Sequence, residues 1–155
     1  MSDPQEPVGE QPRDNIGLLL SLASARGVLA ANTGLRPMDL NHRTYSVLDV
    51  LELRGGISQR ELADELRLDP SQIVALVDSL ERRGLVERRP NPQDRRQRTV
   101  VVTAAGRTLY RRARQQVDGS LDEVLEGLHA AERDTLRELL QRIVRPPAGA
   151  TTPAG

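Results

Sequence analysis

The 155-residue chain has no cysteine, no lysine, no Phe and no Trp; its aromatic side chains are Tyr45 and Tyr110 alone. Without cysteine there are no disulfides, no thiolate metal sites and no thiol-based redox sensing by this chain. Without large aromatics, a core must be built from Leu, Val, Ile and Ala. No apolar run reads as long enough to cross a membrane, which takes about 20 residues. The opening segment, Met1 to Pro12, is acidic and polar, unlike a signal peptide. There is no Gly-rich phosphate loop and no His-x-x-x-His pair, so the motifs argue against an enzyme, and neither a cofactor nor a resident metal is expected. His42 and His129 fall in different predicted elements and read as ordinary helix-end or surface histidines. Together these absences predict a single-domain protein of the cytoplasm.

Charge is balanced overall, with 22 basic and 22 acidic residues, which by itself argues against nucleic acid as a partner. Its distribution argues the other way. Glu81 to Arg114 holds eleven arginines against three acids, a local excess of eight positive charges. The compensating acids lie in Met1 to Asp14 and in Gln115 to Arg145. A local positive patch on a neutral protein is enough to attract phosphate. Every cation is arginine, whose planar fork suits paired contacts to phosphates and base edges, although genome-level codon bias also explains the missing lysine.

The stretch Ser58 to Val102 organises the chain. Ser58-Gln59-Arg60-Glu61 fits a capping box, and Leu62, Ala63 and Leu66 form one apolar stripe. Arg67 to Pro70 is a tight turn. Asp69 and Pro70 suit the cap and first position of a second helix, whose Ile73, Leu76, Val77 and Leu80 lie on one face. Gly84 ends that helix. Leu85–Arg89 and Arg98–Val102 read as two strands around a loop rich in Pro and Asn, with Ile57 as a short third strand. Helix, turn, helix and hairpin is the layout of a winged helix, a mainly α fold with a small β-hairpin wing. In such units the second helix enters a major groove.

These residues resemble the MarR family of bacterial winged-helix transcription regulators. The matching pieces are ISQRELADEL, VDSLERRGLVER and PQDRRQRTVVVTAAG. The last is the most specific: Asp94-x-Arg96 ahead of a strand that ends in Thr103-x-x-Gly106. With its flanking helices the resemblance covers Asn15 to Arg145. It implies a homodimer that binds palindromic double-stranded DNA near promoters, often a repressor, and often a small ligand that lowers DNA affinity.

On either side of the winged unit (about 41–103) the pattern is helical. Asn15 to Thr33 is Ala-rich and apolar most of the way round. Asn41 can cap a helix carrying Tyr45, Val47, Leu48, Val50 and Leu51 up to Gly55-Gly56. Thr103 can cap a long helix, basic in its first half and acidic in its second, and a last helix spans about Ala131 to Val144. The outer helices, about 14–33 and 104–145, have more apolar face than a small winged unit can cover, so we expect them to interleave across a two-fold axis as the dimerisation region. The single domain thus runs over 14–145, with tails at 1–13 and 146–155 expected to be disordered.

The residues expected to touch DNA follow. Ser71, Gln72, Val74 and Ala75 lie on the second helix opposite its apolar stripe; Gln72 can pair with an adenine edge, and Val74 or Ala75 can pack on a thymine methyl. The family often has polar or basic residues where Val74 and Ala75 stand, so specificity here should lean on Gln72, methyl contacts and DNA shape. Arg95, Arg96 and Arg98 at the hairpin tip suit a narrow minor groove. Ser58 and Gln59 begin a helix whose free N–H groups can hold a phosphate. The resemblance implies that Asp94 orients Arg96 or the wing turn through an internal ion pair. It also places a ligand cleft between the outer helices and the winged unit, with His42, Arg43, Tyr45 and Arg111 as polar candidates for a small anionic or phenolic effector. Two alternatives stay open: a winged helix that serves protein contacts only, and a metal-responsive sensor using His and carboxylates.

Overall fold

The computed structural model describes residues 15–145; the expected tails lie outside the described residues. Six helices and one hairpin follow in order: α1 (Ile16–Leu35), α2 (His42–Arg54), α3 (Gln59–Leu66), α4 (Pro70–Arg82), β1 (Val86–Pro90), β2 (Arg98–Val102), α5 (Ala104–Val124) and α6 (Ala130–Val144), with a 3-10 turn at Arg36–Met38.

Helix starts are set by side chains. Asn15 accepts the Leu18 N–H at 3.1 Å, and Asn41 accepts those of Arg43 and Thr44 at 3.0 Å while the Thr44 hydroxyl accepts the Asn41 N–H at 2.9 Å. Ser58 and Glu61 form the expected reciprocal box: the Glu61 N–H donates to Ser58 Oγ at 3.2 Å and the Ser58 N–H to Glu61 Oε2 at 2.9 Å. Each satisfies backbone donors that a helix start leaves unpaired. Gly55, at φ +72°, ends α2 in the left-handed conformation, where a side chain would clash with its own carbonyl.

The core is aliphatic apart from Tyr110. Val47, Leu48 and Leu51 of α2 meet Leu62 of α3, Ile73, Val77 and Leu80 of α4, and Val86 and Val100 of the hairpin. Tyr110, Ala113 and Val117 of α5 complete it from the other side, with Leu35 of α1. The strands are antiparallel, pairing Val86 with Val102 and Arg88 with Val100. In place of the expected third strand, Ile57 makes a single isolated bridge beside the two-stranded sheet: its N–H donates to the Val100 carbonyl at 3.3 Å and its carbonyl accepts the Val100 N–H at 2.8 Å.

One junction ties α4, wing and α5 together. The Leu85 carbonyl accepts the Thr103 N–H at 3.0 Å, and the Thr103 hydroxyl donates to the Gly84 carbonyl at 2.6 Å. Thr103 also caps α5 by accepting the Gly106 N–H at 3.1 Å. Gly106 lies directly against the chain: a Cβ there would stand 1.9 Å from the Leu85 oxygen. The Thr-x-x-Gly signature is thus a close-approach device.

One expectation needs correcting. By length and composition alone, Ile16–Met38 is apolar enough to cross a membrane. Its C-terminal part is instead built into the fold. Ala31 and Leu35 are buried, and at Gly34 a Cβ would stand 3.1 Å from the Gln116 carbonyl oxygen of α5. The N-terminal part is a different matter: Ile16, Leu18, Leu19, Leu20 and Leu22 are 40–76% exposed.

Gly106→Ala forces a carbon into the Leu85 carbonyl and should lower unfolding free energy by about 2–3 kcal/mol. Urea denaturation followed by circular dichroism measures it; a change within experimental scatter would remove the junction from this account.

Candidate nucleic-acid interface

α4 is held by its inner face, where Ile73, Val77 and Leu80 are fully buried. Its outer face is open. Ser71, Val74, Ala75, Asp78 and Arg82 are exposed, and a shallow groove runs along Ala75, Asp78, Glu81 and Arg82. Gln72 is half-buried at the helix start, where its side-chain oxygen accepts the Asp69 N–H at 3.2 Å. Its amide nitrogen therefore stays available, while its oxygen must leave the cap before both can engage an adenine edge.

The wing tip is shaped by short-range hydrogen bonds. Asp94 Oδ1 accepts the Arg96 N–H at 3.0 Å and the Asp94 carbonyl accepts the Gln97 N–H at 3.0 Å; Asn91 Oδ1 accepts the Gln93 N–H at 2.9 Å. Asp94 orients the turn through the backbone, not through the ion pair with Arg96 that the resemblance suggested. A carboxylate two residues before an N–H reaches it without help from a guanidinium. Arg95, Arg96 and Arg98 are exposed, and among the described residues none of the three is in an ion pair.

Ser58 and Gln59 are arranged differently from the phosphate clasp expected of them. Ser58 is closed on Glu61, whose carboxyl the Ser58 N–H and hydroxyl hold below the usual carboxylate range. That negative charge sits where a phosphate would approach. Gln59 Oε1 accepts from Arg88 Nε at 2.9 Å. Arg88 also pairs with Asp78 and Glu81 of α4, a hub that sequence reasoning missed because its partners are 7 to 29 residues away. Arg83, although exposed, is also engaged within the chain, donating to the carbonyls of Asp39 at 2.6 Å and Met38 at 3.0 Å.

Comparison with known proteins fits this geometry. A MarR family sequence model matches residues 38–97. The solved structure of CouR from Rhodococcus jostii RHA1, bound to p-coumaroyl-CoA, is 41% identical, covers 89% of this chain and 97% of its own, and superposes with a TM-score of 0.81. The chain belongs to the MarR family of transcriptional regulators. A Cys-to-Ser variant of E. coli MarR, solved with operator DNA, is 27% identical over 88% of this chain and 100% of its own, with a TM-score of 0.75. A Thauera aromatica protein described as regulatory for the hcr operon is 37% identical over 101 residues, a match that spans 61% of that relative.

In this MarR-family chain the two aromatic residues meet. Tyr45 of α2 and Tyr110 of α5 stack with ring centroids 5.9 Å apart and planes 19° from parallel. The Tyr110 hydroxyl donates to Asp49 Oδ1 at 2.6 Å and accepts from an Arg114 guanidinium nitrogen at 3.5 Å. Burial, then the neighbouring carboxylate, raises both phenols above their ordinary range, so they stay protonated. Of the ligand candidates, Tyr45 alone enters this cluster. Arg43 and Arg111 are exposed, and His42 donates its backbone N–H to Asn32 Oδ1 at 2.7 Å. Burial and the Arg43 charge lower the His42 pKa, favouring the neutral ring. Tyr110, Asp49 and Arg114 were missed. The available signal was that the only two aromatics of the chain fall on helices already predicted to wall a cleft. Among the described residues, no group of three His, Asp or Glu side chains could hold a metal ion.

Two apolar faces remain uncovered. α6 buries no side chain, leaving Leu139, Leu140, Ile143 and Val144 exposed. Between α5 and α6 lies an open cleft of about 1370 Å³, walled by Leu121, Leu125, Leu136, Leu140 and Val144 with several arginines.

Because the Glu61 carboxyl is depressed in the folded state, its contribution is present at neutral pH and lost as pH falls through its folded value. Glu61→Gln keeps the capping geometry without the charge. The variant should be slightly less stable than the parent chain at pH 7, with the difference shrinking as the pH is lowered into the acid range, as read by urea melts; a difference that does not change with pH would show that the charge is irrelevant.

Proposed function

We propose that this chain is a dimeric, sequence-specific DNA-binding regulator of transcription in the cytoplasm, acting as a repressor that a small ligand releases. α4 enters the major groove and the arginine wing lies in the adjacent minor groove. The observation that carries the reading is an open outer face on a helix buried along its inner face, followed by a hairpin tip with three unpaired arginines, in a chain of zero net charge. A related protein, E. coli MarR, has been solved with operator DNA. Base contacts are assigned to Ser71, Gln72, Val74 and Ala75, and minor-groove contacts to Arg95, Arg96 and Arg98. Ser58 and Gln59 stay at the edge of the interface as supports, since both are engaged internally.

The dimer is assigned to α1, α5 and α6. Large side chains left wet on two helices favour burial at roughly 25 cal/mol per Å², and patches of this kind mark interaction surfaces. A two-fold axis through these helices presents two reading helices to one duplex, so the operator should be a palindrome with half-sites about 10 bp apart.

The effector is assigned to the space around Tyr45, Tyr110, Asp49 and Arg114, between α2 and α5. Stacked phenols favour a flat ring, and Arg114 supplies the charge that would meet an anion. CouR, the relative with 41% identity, binds p-coumaroyl-CoA. An aromatic acyl thioester or a phenolic acid is the class to try first.

The deciding experiment is selection of duplexes from a random pool with the purified chain. A palindrome enriched with half-sites one turn apart is expected; no enrichment at low salt overturns the reading. On the selected duplex, Arg95→Ala with Arg96→Ala should weaken binding to every sequence and reduce the salt slope by about two. Unchanged affinity and slope would clear the wing of DNA contact. Light scattering should give a mass near twice the monomer's 17.1 kDa at micromolar concentration. A monomer would end the two-fold arrangement.

A further inference from the structure

Arg88 stands on β1 with its side chain turned back toward α4. Each guanidinium nitrogen donates to a different residue: Nε to Gln59 Oε1 at 2.9 Å, one terminal nitrogen to Asp78 Oδ1 at 2.5 Å, and the other to Glu81 Oε2. Its backbone N–H donates to Glu81 Oε1 at 3.1 Å. The side chain is 17% exposed, whereas that of Asp78 is 51% exposed.

Asp78 is on the outer face of α4. Positions 71, 75, 78 and 82 recur at three- and four-residue steps and so share one side of the helix. The face assigned to DNA therefore carries a carboxylate, with Glu81 beside it in the same groove. Two carboxylates pressed toward phosphates would oppose binding. One arginine held between them cancels half of that charge and fixes both rotamers. Three of the five guanidinium N–H donors, one on each nitrogen, are engaged within the protein, and the side chain is largely covered, so the group is held as an internal donor and not presented to phosphate.

We propose that Arg88 is a positioning residue for DNA binding: an internal counter-ion that restrains Asp78 and Glu81 and locks α4 against α3 and the wing, without touching the DNA itself. The proposal rests on the DNA-binding reading above. It extends that reading to a residue outside the contact surface.

The test uses a fluorescent duplex selected by the full-length parent chain, titrated at fixed salt. Arg88→Gln should weaken binding about tenfold or more, because it leaves two acids unpaired at the interface. The triple variant with Asp78→Asn and Glu81→Gln added should recover to within about threefold of the parent. Arg88→Lys keeps the charge but loses the fork, and should fall between the parent and Arg88→Gln. The double variant Asp78→Asn/Glu81→Gln, with Arg88 intact, should bind at least as tightly as the parent. Parent-like binding by Arg88→Gln overturns the proposal. So does a folded triple variant that binds no better than Arg88→Gln, since Arg88 would then contact DNA directly. Should Arg88→Gln not fold, the triple variant is compared with the double. Affinities within about threefold of each other support the counter-ion role, and weaker binding by the triple than that overturns it. If the parent selects no duplex at all, the DNA-binding reading fails instead, a separate result.

Discussion

The arrangement depends on one backbone contact, the point where α5 begins against the turn between α4 and β1. The Leu85 carbonyl accepts from Thr103, the Thr103 hydroxyl donates to Gly84, and Gly106 sits against the same carbonyl with no room for a side chain. This contact joins the end of the reading helix, both ends of the wing hairpin and the start of the longest helix.

Charge is organised to match. The chain is neutral, yet its arginines gather around α4, the wing and the start of α5. Not all of them face outward. Arg83 and Arg88 are engaged as structural donors, while among the described residues Arg95, Arg96 and Arg98 at the hairpin tip form no ion pair. Counting cations along the sequence overstates the positive surface, because an arginine with three acceptors around it contributes geometry more than field. The wing needs no such internal arginine: its turn is held by Asp94 and Asn91 accepting backbone N–H groups, which leaves the guanidinium groups free.

The aliphatic core has a consequence for size. Leu, Val and Ile close the winged unit tightly, but they do not extend to cover α6 or the first half of α1. The α6 face lines the α5–α6 cleft, and the chemistry of both uncovered faces is that of an interior. The Tyr45–Tyr110 stack is the exception to the aliphatic rule, and it sits between α2 and α5 rather than at the centre of the core.

Local chemistry was legible before any coordinates. Capping residues Asn41, Ser58, Asp69 and Thr103 each fall at the helix start they were assigned, and Ile57 pairs with the hairpin, because caps and periodicity act within four residues or along one strand. The family and its winged fold were legible from Asp94-x-Arg96 and Thr103-x-x-Gly106 for the same reason. What the tertiary structure alone decided is which side chains are already engaged. Gln59 bonds to Arg88, Gln72 closes its own cap, Asp94 bonds to backbone, and Tyr110 meets Asp49 and Tyr45 across 61 and 65 positions of chain. Several of those pairings join residues far apart in sequence, and others select one among competing local partners. Neither outcome is contained in residue spacing, since both depend on how packed helices place donors and acceptors in three dimensions.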